Sequence, residues 1–200
     1  MILSEKRDKR FRSVIEGRLQ DVIVLENIHD PHNALAAIRN CDAFGIQTVH
    51  FIFEKEKQFN PEKLGKATSS SANKWVDAVC WEKTADCLES LKKDGFRIVA
   101  TIVDKDAKQL SEADFTRQKT ALVFGNEGFG ITDTAKHLAD DLVYIPMSGF
   151  VDSLNLSVTV GVTLYELSKH RRGIFHLSGI EQQRLYDKWM KDEMRKKYRL

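Results

Sequence analysis

Short apolar runs alternate with longer segments of helical period along most of this 200-residue chain. The runs are rich in Val, Ile, Leu and Phe and are bounded by turn residues, which is typical of strands buried on both faces. The recurring strand–helix order predicts an α/β fold: a mostly parallel sheet with helices on both faces. The predicted strands are residues 22–25, 48–53, 75–81, 96–103, 120–124 and 142–145, and the predicted helices are residues 4–19, 34–44, 84–93, 133–139 and 181–198.

The pattern of residues 154–164 is compatible with either a strand or a helix. Leu and Val alternate there with Asn, Ser, Thr and Gly, and a period of two favours a strand. Asp152, Ser153 and Asn155 come just before and are suited to capping a helix, and residues 165–169 continue as a helix would. The residues alone leave both interpretations open.

Both ends of the chain predict amphipathic helices. The last, residues 181–198, has a stripe of Leu, Trp, Tyr and Met that core packing explains better than base stacking does. The first has an apolar stripe of Phe11, Val14, Ile15 and Leu19. Three arginines are expected on its solvent side: Arg7, Arg10 and Arg18.

The net charge of +2 hides an asymmetry between the ends and the body. Residues 1–18 carry six basic and three acidic side chains and residues 169–200 carry ten and four, so the ends sum to +9 and the body to −7. Such ends suggest a bound polyanion, whereas ordinary solvated helices explain the same charges, and charge alone slightly favours this second explanation. The candidate RNA-binding residues are Arg7, Arg10, Arg18, Arg195, Lys196 and Lys197.

The composition, 42% hydrophobic and 30% charged residues, is that of one globular domain. No apolar run approaches the length that crosses a bilayer, and the charged N-terminus has no signal-peptide core. The three cysteines are odd in number and lack metal-ligand spacing. We therefore expect a cytoplasmic protein with neither a membrane partner nor a metal.

Three loops rich in Gly and Asn each follow an apolar run. They lie within residues 26–45, 122–130 and 145–166. Because open α/β sheets bind ligands beyond the carboxyl ends of their strands, these loops are expected to form one shared site. Asn33 is expected to be the N-cap of the helix at 34–44, and Arg39 lies on that helix.

Together, ENIHDPHNALAAIRNCDAFG, LVFGNEGFG and IPMSGFVDSLNLSVTVGVTLYE closely resemble the three motifs of the SpoU/TrmH-type RNA ribose 2′-O-methyltransferases of the SPOUT superfamily. The resemblance covers roughly residues 22–171. It implies a C-terminal trefoil knot, a homodimer, a helix rather than a strand after Asn155, and S-adenosyl-L-methionine as methyl donor. The implied organisation is an N-terminal helical extension (1–20), a methyltransferase domain (21–172) and a basic C-terminal helix (173–200).

The resemblance also implies roles for individual residues. Arg39 matches the catalytic arginine and Asn33 the asparagine that helps to hold it; whether Arg39 acts as a base or as an electrostatic stabiliser stays open. The other implied catalytic-site residues are Ser153, Asn155 and Glu127. The implied cofactor-binding residues are Thr101, Gly125, Gly128, Ile145, Met147 and Leu154.

Within the family, the chain most resembles the enzymes that methylate guanosine 18 in the D-loop of tRNA. It shares their helical ends and the long form IPMxGxVxSLNxSV. The alternatives are another tRNA or rRNA nucleotide, or a catalytically silent knotted RNA-binding protein.

Overall fold

A computed structural model of the chain describes residues 4–61, 74–104 and 107–198, with side chains as far as residue 195. Seven strands and six α-helices lie in these ranges. The strands are β1 (Leu19–Glu26), β2 (Ile46–Ile52), β3 (Asp77–Trp81), β4 (Arg97–Thr101), β5 (Lys108–Gln109), β6 (Thr120–Phe124) and β7 (Asp141–Tyr144). The helices are α1 (Glu5–Glu16), α2 (Pro31–Ala43), α3 (Thr84–Lys93), α4 (Asp133–Leu138), α5 (Leu156–Lys169) and α6 (Gly179–Tyr198). None of these helices is long and apolar enough to cross a membrane.

All seven strands join one parallel sheet in the order β3-β2-β1-β6-β4-β7-β5. Successive residues of each strand point to opposite faces, so a parallel sheet needs cover on both sides. On one face, Ile23, Leu25 and Phe51 pack in a core with α2 and α5. On the other face, Val22 and Val24 pack in a core with α3 and α4. The predicted α/β class with a parallel sheet is confirmed.

The order of the last strands is unusual. β4 and β5 are consecutive in the chain, yet β7 lies between them and pairs with both. Thr101 of β4 is in register with Val143, and Lys108 of β5 is in register with the same Val143. β7, which comes later in the sequence, therefore lies between β4 and β5, which come earlier.

Residues 156–169 form a helix, so the strand interpretation of this segment is wrong. Asn155 is its N-cap, and the Asn155 side chain accepts a hydrogen bond of 2.8 Å from the Ser157 backbone N–H. Apolar residues lie on two sides of the helix, which produces the alternation seen in the sequence. The buried side carries Leu156, Val160, Leu164 and Leu167, and the exposed side carries Val158, Val162 and Tyr165.

The helices at the two ends of the chain pack against each other. Phe11 and Ile15 of α1 are buried with Leu185 and Trp189 of α6. The Phe11 and Trp189 rings meet edge to face, with their centroids 5.5 Å apart, which is a favourable aromatic geometry. The stripe of α6 therefore serves core packing, as predicted.

Arg18 does not face solvent, and its predicted role in binding RNA is wrong. Helix α1 ends at Glu16, so the helical period no longer describes Arg18, which turns inward as the chain enters β1. The side chain is fully buried. Its Nη2 lies 2.5 Å from Asp42 Oδ1, and its Nη1 donates to the Ile46 carbonyl at 3.2 Å. The guanidinium thus stabilises the fold and is inaccessible to a phosphate.

Candidate active site

The three loops meet at the carboxyl edge of the sheet. They follow β1, β6 and β7; β1 is paired with β6, and β4 lies between β6 and β7. The carboxyl ends of adjacent parallel strands share one edge, so each loop lies within reach of the next. The expectation of one shared site is consistent with this topology.

A chain of side-chain hydrogen bonds links the three loops. Asn33 Nδ2 donates to Glu127 Oε1 at 2.9 Å. Asn155 Nδ2 donates to Asn33 Oδ1 at 3.0 Å. Each amide uses both of its ends, because Asn155 Oδ1 also accepts from the Ser157 N–H. Asn33, Glu127 and Asn155 are thereby fixed relative to one another, although 122 positions separate Asn33 from Asn155 in the sequence.

Asn33 is not the cap of its helix. Helix α2 begins at Pro31, and the cap is Asp30, whose Oδ1 accepts from the His32 N–H at 2.8 Å. Proline suits the first turn because its missing N–H would have no helical partner there. Asn33 therefore lies inside the first turn, and its side chain is available to bridge Glu127 and Asn155 instead.

The loop after β6 is a tight turn closed by its own backbone. Asn126 and Gly130 exchange two backbone hydrogen bonds, of 3.0 and 2.9 Å. A Cβ at Gly125 would lie 2.2 Å from the Gly130 carbonyl carbon, so only glycine fits there. The buried side chain of Asn126 donates to the Asn27 carbonyl at 2.7 Å and ties this loop to the loop after β1. Sequence reasoning missed Asn126; its place beside Glu127 in the GNEG turn was the available signal.

A buried carboxylate at the end of β1 connects the elements around the site. Glu26 closes β1 and is fully buried. It accepts hydrogen bonds from the hydroxyls of Thr84 and Thr132, at 2.5 and 2.6 Å, and from the Thr132 N–H at 2.8 Å. These bonds tie the end of β1 to the starts of α3 and α4. Sequence reasoning missed Glu26 because a charged residue at a strand end normally predicts exposure.

Arg39 and Ser153 lie outside the hydrogen-bonded chain. Arg39 is exposed on α2, six residues beyond Asn33, or about 9 Å along the helix axis. Its guanidinium forms no hydrogen bond or ion pair with the part of the chain that the structure describes. Ser153 is also exposed. Both side chains are thus accessible to a large substrate arriving from solvent.

The residues expected to hold a cofactor follow three adjacent strands. Thr101 ends β4, Gly125 follows β6, and Ile145 follows β7. Half-buried Met147 and Leu154 lie further along the last loop, and Gly128 lies exposed on the turn after β6. The backbone N–H groups of residues 147–154 make no backbone hydrogen bond within the described ranges. Apolar side chains beside free backbone groups suit a purine ring and its polar edge. In the same ranges, no group of three or more acidic, His or Cys side chains is arranged to hold a metal.

The fold and the loop-built site place the chain among α/β proteins that bind a ligand at the carboxyl edge of a parallel sheet. Residues 20–165 match the SpoU rRNA Methylase family. The chain belongs to this family, and the resemblance seen in the three motifs is confirmed.

Individual relatives agree in sequence and in structure. The tRNA (guanosine(18)-2′-O)-methyltransferase of Aquifex aeolicus is 34% identical over 199 residues, which cover 96% of this chain and 92% of that protein. The crystal structure of the A. aeolicus TrmH/SpoU tRNA modifying enzyme superposes with a TM-score of 0.82 at 33% identity, covering 94% of this chain and 97% of that one. The AdoMet-bound rRNA methyltransferase of Sinorhizobium meliloti has a TM-score of 0.67 at 26% identity, covering 82% of this chain and 61% of that one.

Proposed function

We propose that this chain transfers the methyl group of S-adenosyl-L-methionine to the 2′-hydroxyl of guanosine 18 in tRNA. The observation that carries the proposal is the hydrogen-bonded chain of Glu127, Asn33 and Asn155, which joins the three motif loops. The relative that bears this activity in its name aligns along 96% of this chain. A cytoplasmic location is part of this proposal, because a tRNA substrate would be available there.

The cofactor fits the loops after β4, β6 and β7. Thr101, Gly125 and Ile145 with Gly128, Met147 and Leu154 would hold S-adenosyl-L-methionine through backbone contacts and apolar packing. The relative from S. meliloti, matched at 26% identity, binds AdoMet. When bound, the sulfonium supplies an activated methyl group and a neutral leaving group.

The protein has two tasks in this reaction. A ribose hydroxyl is a poor nucleophile, so it needs alignment with the methyl carbon and a partner for its proton. Asn33, held between Glu127 and Asn155, orients the hydroxyl from the first turn of α2, and Ser153 contacts it from the loop after β7. Arg39 contributes positive charge to the neighbouring phosphate and to the developing alkoxide. A guanidinium is protonated throughout the physiological range, which favours this role over that of a base.

The active unit is a homodimer in this proposal. Val158, Val162 and Tyr165 form an apolar stripe on the exposed side of α5, with exposed fractions of 48%, 39% and 60%. Phe150 and Val151, in the loop that leads into α5, are also exposed. A contiguous apolar surface beside an active-site loop is typical of a protein interface.

The C-terminal part of the domain is a trefoil knot in this proposal. The position of β7 between β4 and β5 supports it, since the chain leaving β7 then returns to pack α5 against α2. The proposed division at residues 1–20, 21–172 and 173–200 has its first boundary within β1, which begins at Leu19, and its second boundary before α6, which begins at Gly179. The end helices would hold tRNA through Arg7, Arg10 and the basic residues at 195–197.

The test is methylation of an unmodified tRNA transcript by the purified protein. We expect one 2′-O-methyl group, mapped to guanosine 18 by nuclease digestion and mass spectrometry. The matched control is the same tRNA with deoxyguanosine at position 18, which lacks the accepting hydroxyl and should stay unmethylated. A methyl group at another nucleotide, or on ribosomal RNA alone, would contradict the assigned substrate. Failure to bind the cofactor in calorimetry would indicate the catalytically silent alternative.

A further inference from the structure

An exposed histidine lies beside the hydrogen-bonded chain of the active site. His29 belongs to the loop after β1, and its backbone N–H donates to Glu127 Oε2 at 3.3 Å. The other carboxylate oxygen of Glu127 accepts from Asn33. The imidazole of His29 is 77% exposed. The backbone of this residue is therefore fixed to the site, whereas its ring is open to a substrate that arrives from solvent.

A carboxylate from a different segment orients the imidazole. Glu56 Oε2 lies 3.0 Å from His29 Nδ1, and the Glu56 side chain is only 24% exposed. Glu56 Oε1 accepts from Asn126 Nδ2 at 3.4 Å, so Glu56 contacts the loops after β1 and after β6 together. Its own segment is anchored by Asn27 Oδ1, which accepts from the N–H groups of Glu54 and Lys55 at 2.8 and 2.7 Å.

The His29–Glu56 contact determines which imidazole nitrogen is free. A carboxylate accepts hydrogen bonds, so it favours the tautomer with the proton on Nδ1. Nε2 then carries a lone pair, and it has no hydrogen-bond partner among the described residues. An imidazole oriented by a carboxylate with its second nitrogen free has the geometry of a general base.

We propose that His29 accepts the proton of the ribose 2′-hydroxyl and that Glu56 is its positioning residue. The inference rests on the function proposed above. The hydroxyl proton moves to Nε2 while the ribose oxygen forms a bond to the methyl carbon. The methyl–sulfur bond breaks, and its electron pair leaves with the sulfur as S-adenosylhomocysteine. The imidazolium then releases its proton to solvent.

The charges around His29 set the direction of the pH dependence. Carboxylates face it from three segments: Glu56 after β2, Glu127 after β6 and Asp30 on its own loop. In the Glu56 segment, the Nζ of Lys55 lies 5.6 Å from the centroid of the Phe129 ring. Hydrogen bonding and charge from Glu56 raise the pKa of His29 above its ordinary value. A base acts when neutral, so the methylation rate should rise with pH through this raised pKa.

The experiment measures single-turnover methylation of tRNA from about pH 5.5 to 9 with saturating cofactor and RNA. His29→Gln should lower the rate about 10²-fold at high pH, a loss typical of a missing general base. It should also abolish the fall in rate toward low pH, which is the acid limb of the pH profile. Glu56→Gln can still accept from Nδ1–H but lacks the charge, so its acid limb should move to lower pH. The control is His137→Gln, an exposed histidine on α4, which should leave rate and pH profile unchanged. Cofactor affinity, measured by calorimetry, should be the same in all four proteins.

Several results would overturn the inference. An unchanged acid limb in His29→Gln would show that this imidazole takes no proton. A wild-type rate that falls as pH rises through the pKa of His29 would show that the imidazolium binds phosphate. Loss of cofactor affinity in His29→Gln would show a structural role. Wild-type methylation at a nucleotide other than guanosine 18 would contradict the assigned substrate but leave this pH test intact, whereas no methylation of any RNA would overturn both.

Discussion

At the scale of single residues, the site separates groups that are fixed from groups that are free. Asn33 is held at both ends of its amide, by Glu127 and by Asn155. Arg39 is exposed and unpaired among the described residues. A fixed amide can orient a small group such as a hydroxyl, whereas a free guanidinium can follow a phosphate into place. The two residues thus suit alignment and charge stabilisation, respectively.

Arg39→Ala should leave the protein folded and able to bind S-adenosyl-L-methionine but should lower single-turnover methylation about 10²-fold or more, the usual cost of removing a group that stabilises developing charge. Arg39→Lys should also be impaired, because it keeps the charge but lacks the planar fork that contacts phosphate and hydroxyl together. Rates with saturating RNA and melting temperatures provide the measurement. Near-normal turnover in Arg39→Ala would mean that the catalytic charge lies elsewhere.

Gly125→Ala should disrupt the turn after β6, because the new methyl group would lie 2.2 Å from the Gly130 backbone. We expect weaker cofactor binding in calorimetry and a lower melting temperature. The control is Gly179→Ala at the start of α6, where an added Cβ meets nothing within 4 Å. Equal cofactor affinities in the two variants would show that this turn does not shape the pocket.

The sequence located most of these residues but not their contacts. Asn33 stood in a motif, yet its spacing predicted a helix cap, because sequence position cannot show which partner a side chain reaches across the sheet. Glu56 lies outside the three motifs and had no such signal, and Asn126 lies in the GNEG turn, but the sequence does not show that its side chain reaches Asn27 and Glu56. Long-range contacts of this kind depend on strand order, which a single sequence does not specify.

At the scale of elements, strands were predictable where both faces are buried. β6 has the predicted bounds because all five of its residues are buried. β1 is longer than predicted: it includes the buried Asp21, which is paired with Arg171 at 2.6 Å. β5 was missed because its two residues, Lys108 and Gln109, carry no apolar signal and are defined only by pairing with β7.

The end helices use part of their charge on each other. Arg7 of α1 pairs with Glu193 of α6 at 2.7 Å, whereas Arg12 pairs with Asp8 within α1 at 2.9 Å. Arg10 and Arg195 remain exposed. The side chains of Lys196 and Lys197 lie outside the described residues, so their part in RNA binding stays a prediction.

Replacing Arg195, Lys196 and Lys197 with Ala should weaken tRNA binding and leave cofactor binding unchanged. Each lost phosphate contact should reduce the slope of log affinity against log salt by roughly 0.7 to 0.9. Filter binding or fluorescence titration at several salt concentrations measures both quantities. The control replaces Lys92 and Lys93, two exposed lysines at the end of α3. The same slope in both variants would argue against a role of α6 in holding tRNA.

At the scale of the whole molecule, the exposed stripe on α5 predicts a dimer. Val162→Arg places a charge in this stripe and should convert the dimer into a monomer with low activity, because a charge buried in an apolar interface lacks a partner. Light scattering of dilute protein measures the change. Val79→Arg is the matched control, since Val79 on β3 is 37% exposed and Val162 is 39% exposed. A wild-type monomer that methylates RNA would contradict the proposal.

The position of β7 also has a consequence for how the chain is made. Residues 97–124 leave the ribosome before β7 does, so β4 has an open edge and β5 has no partner strand until residues 141–144 arrive. Open strand edges readily pair with other chains. Their closure depends on contacts between distant parts of the chain, which form slowly. A chain arrested near residue 140 would therefore leave one edge of β4 unpaired. Aggregation would compete with folding until the last third of the protein has been synthesised.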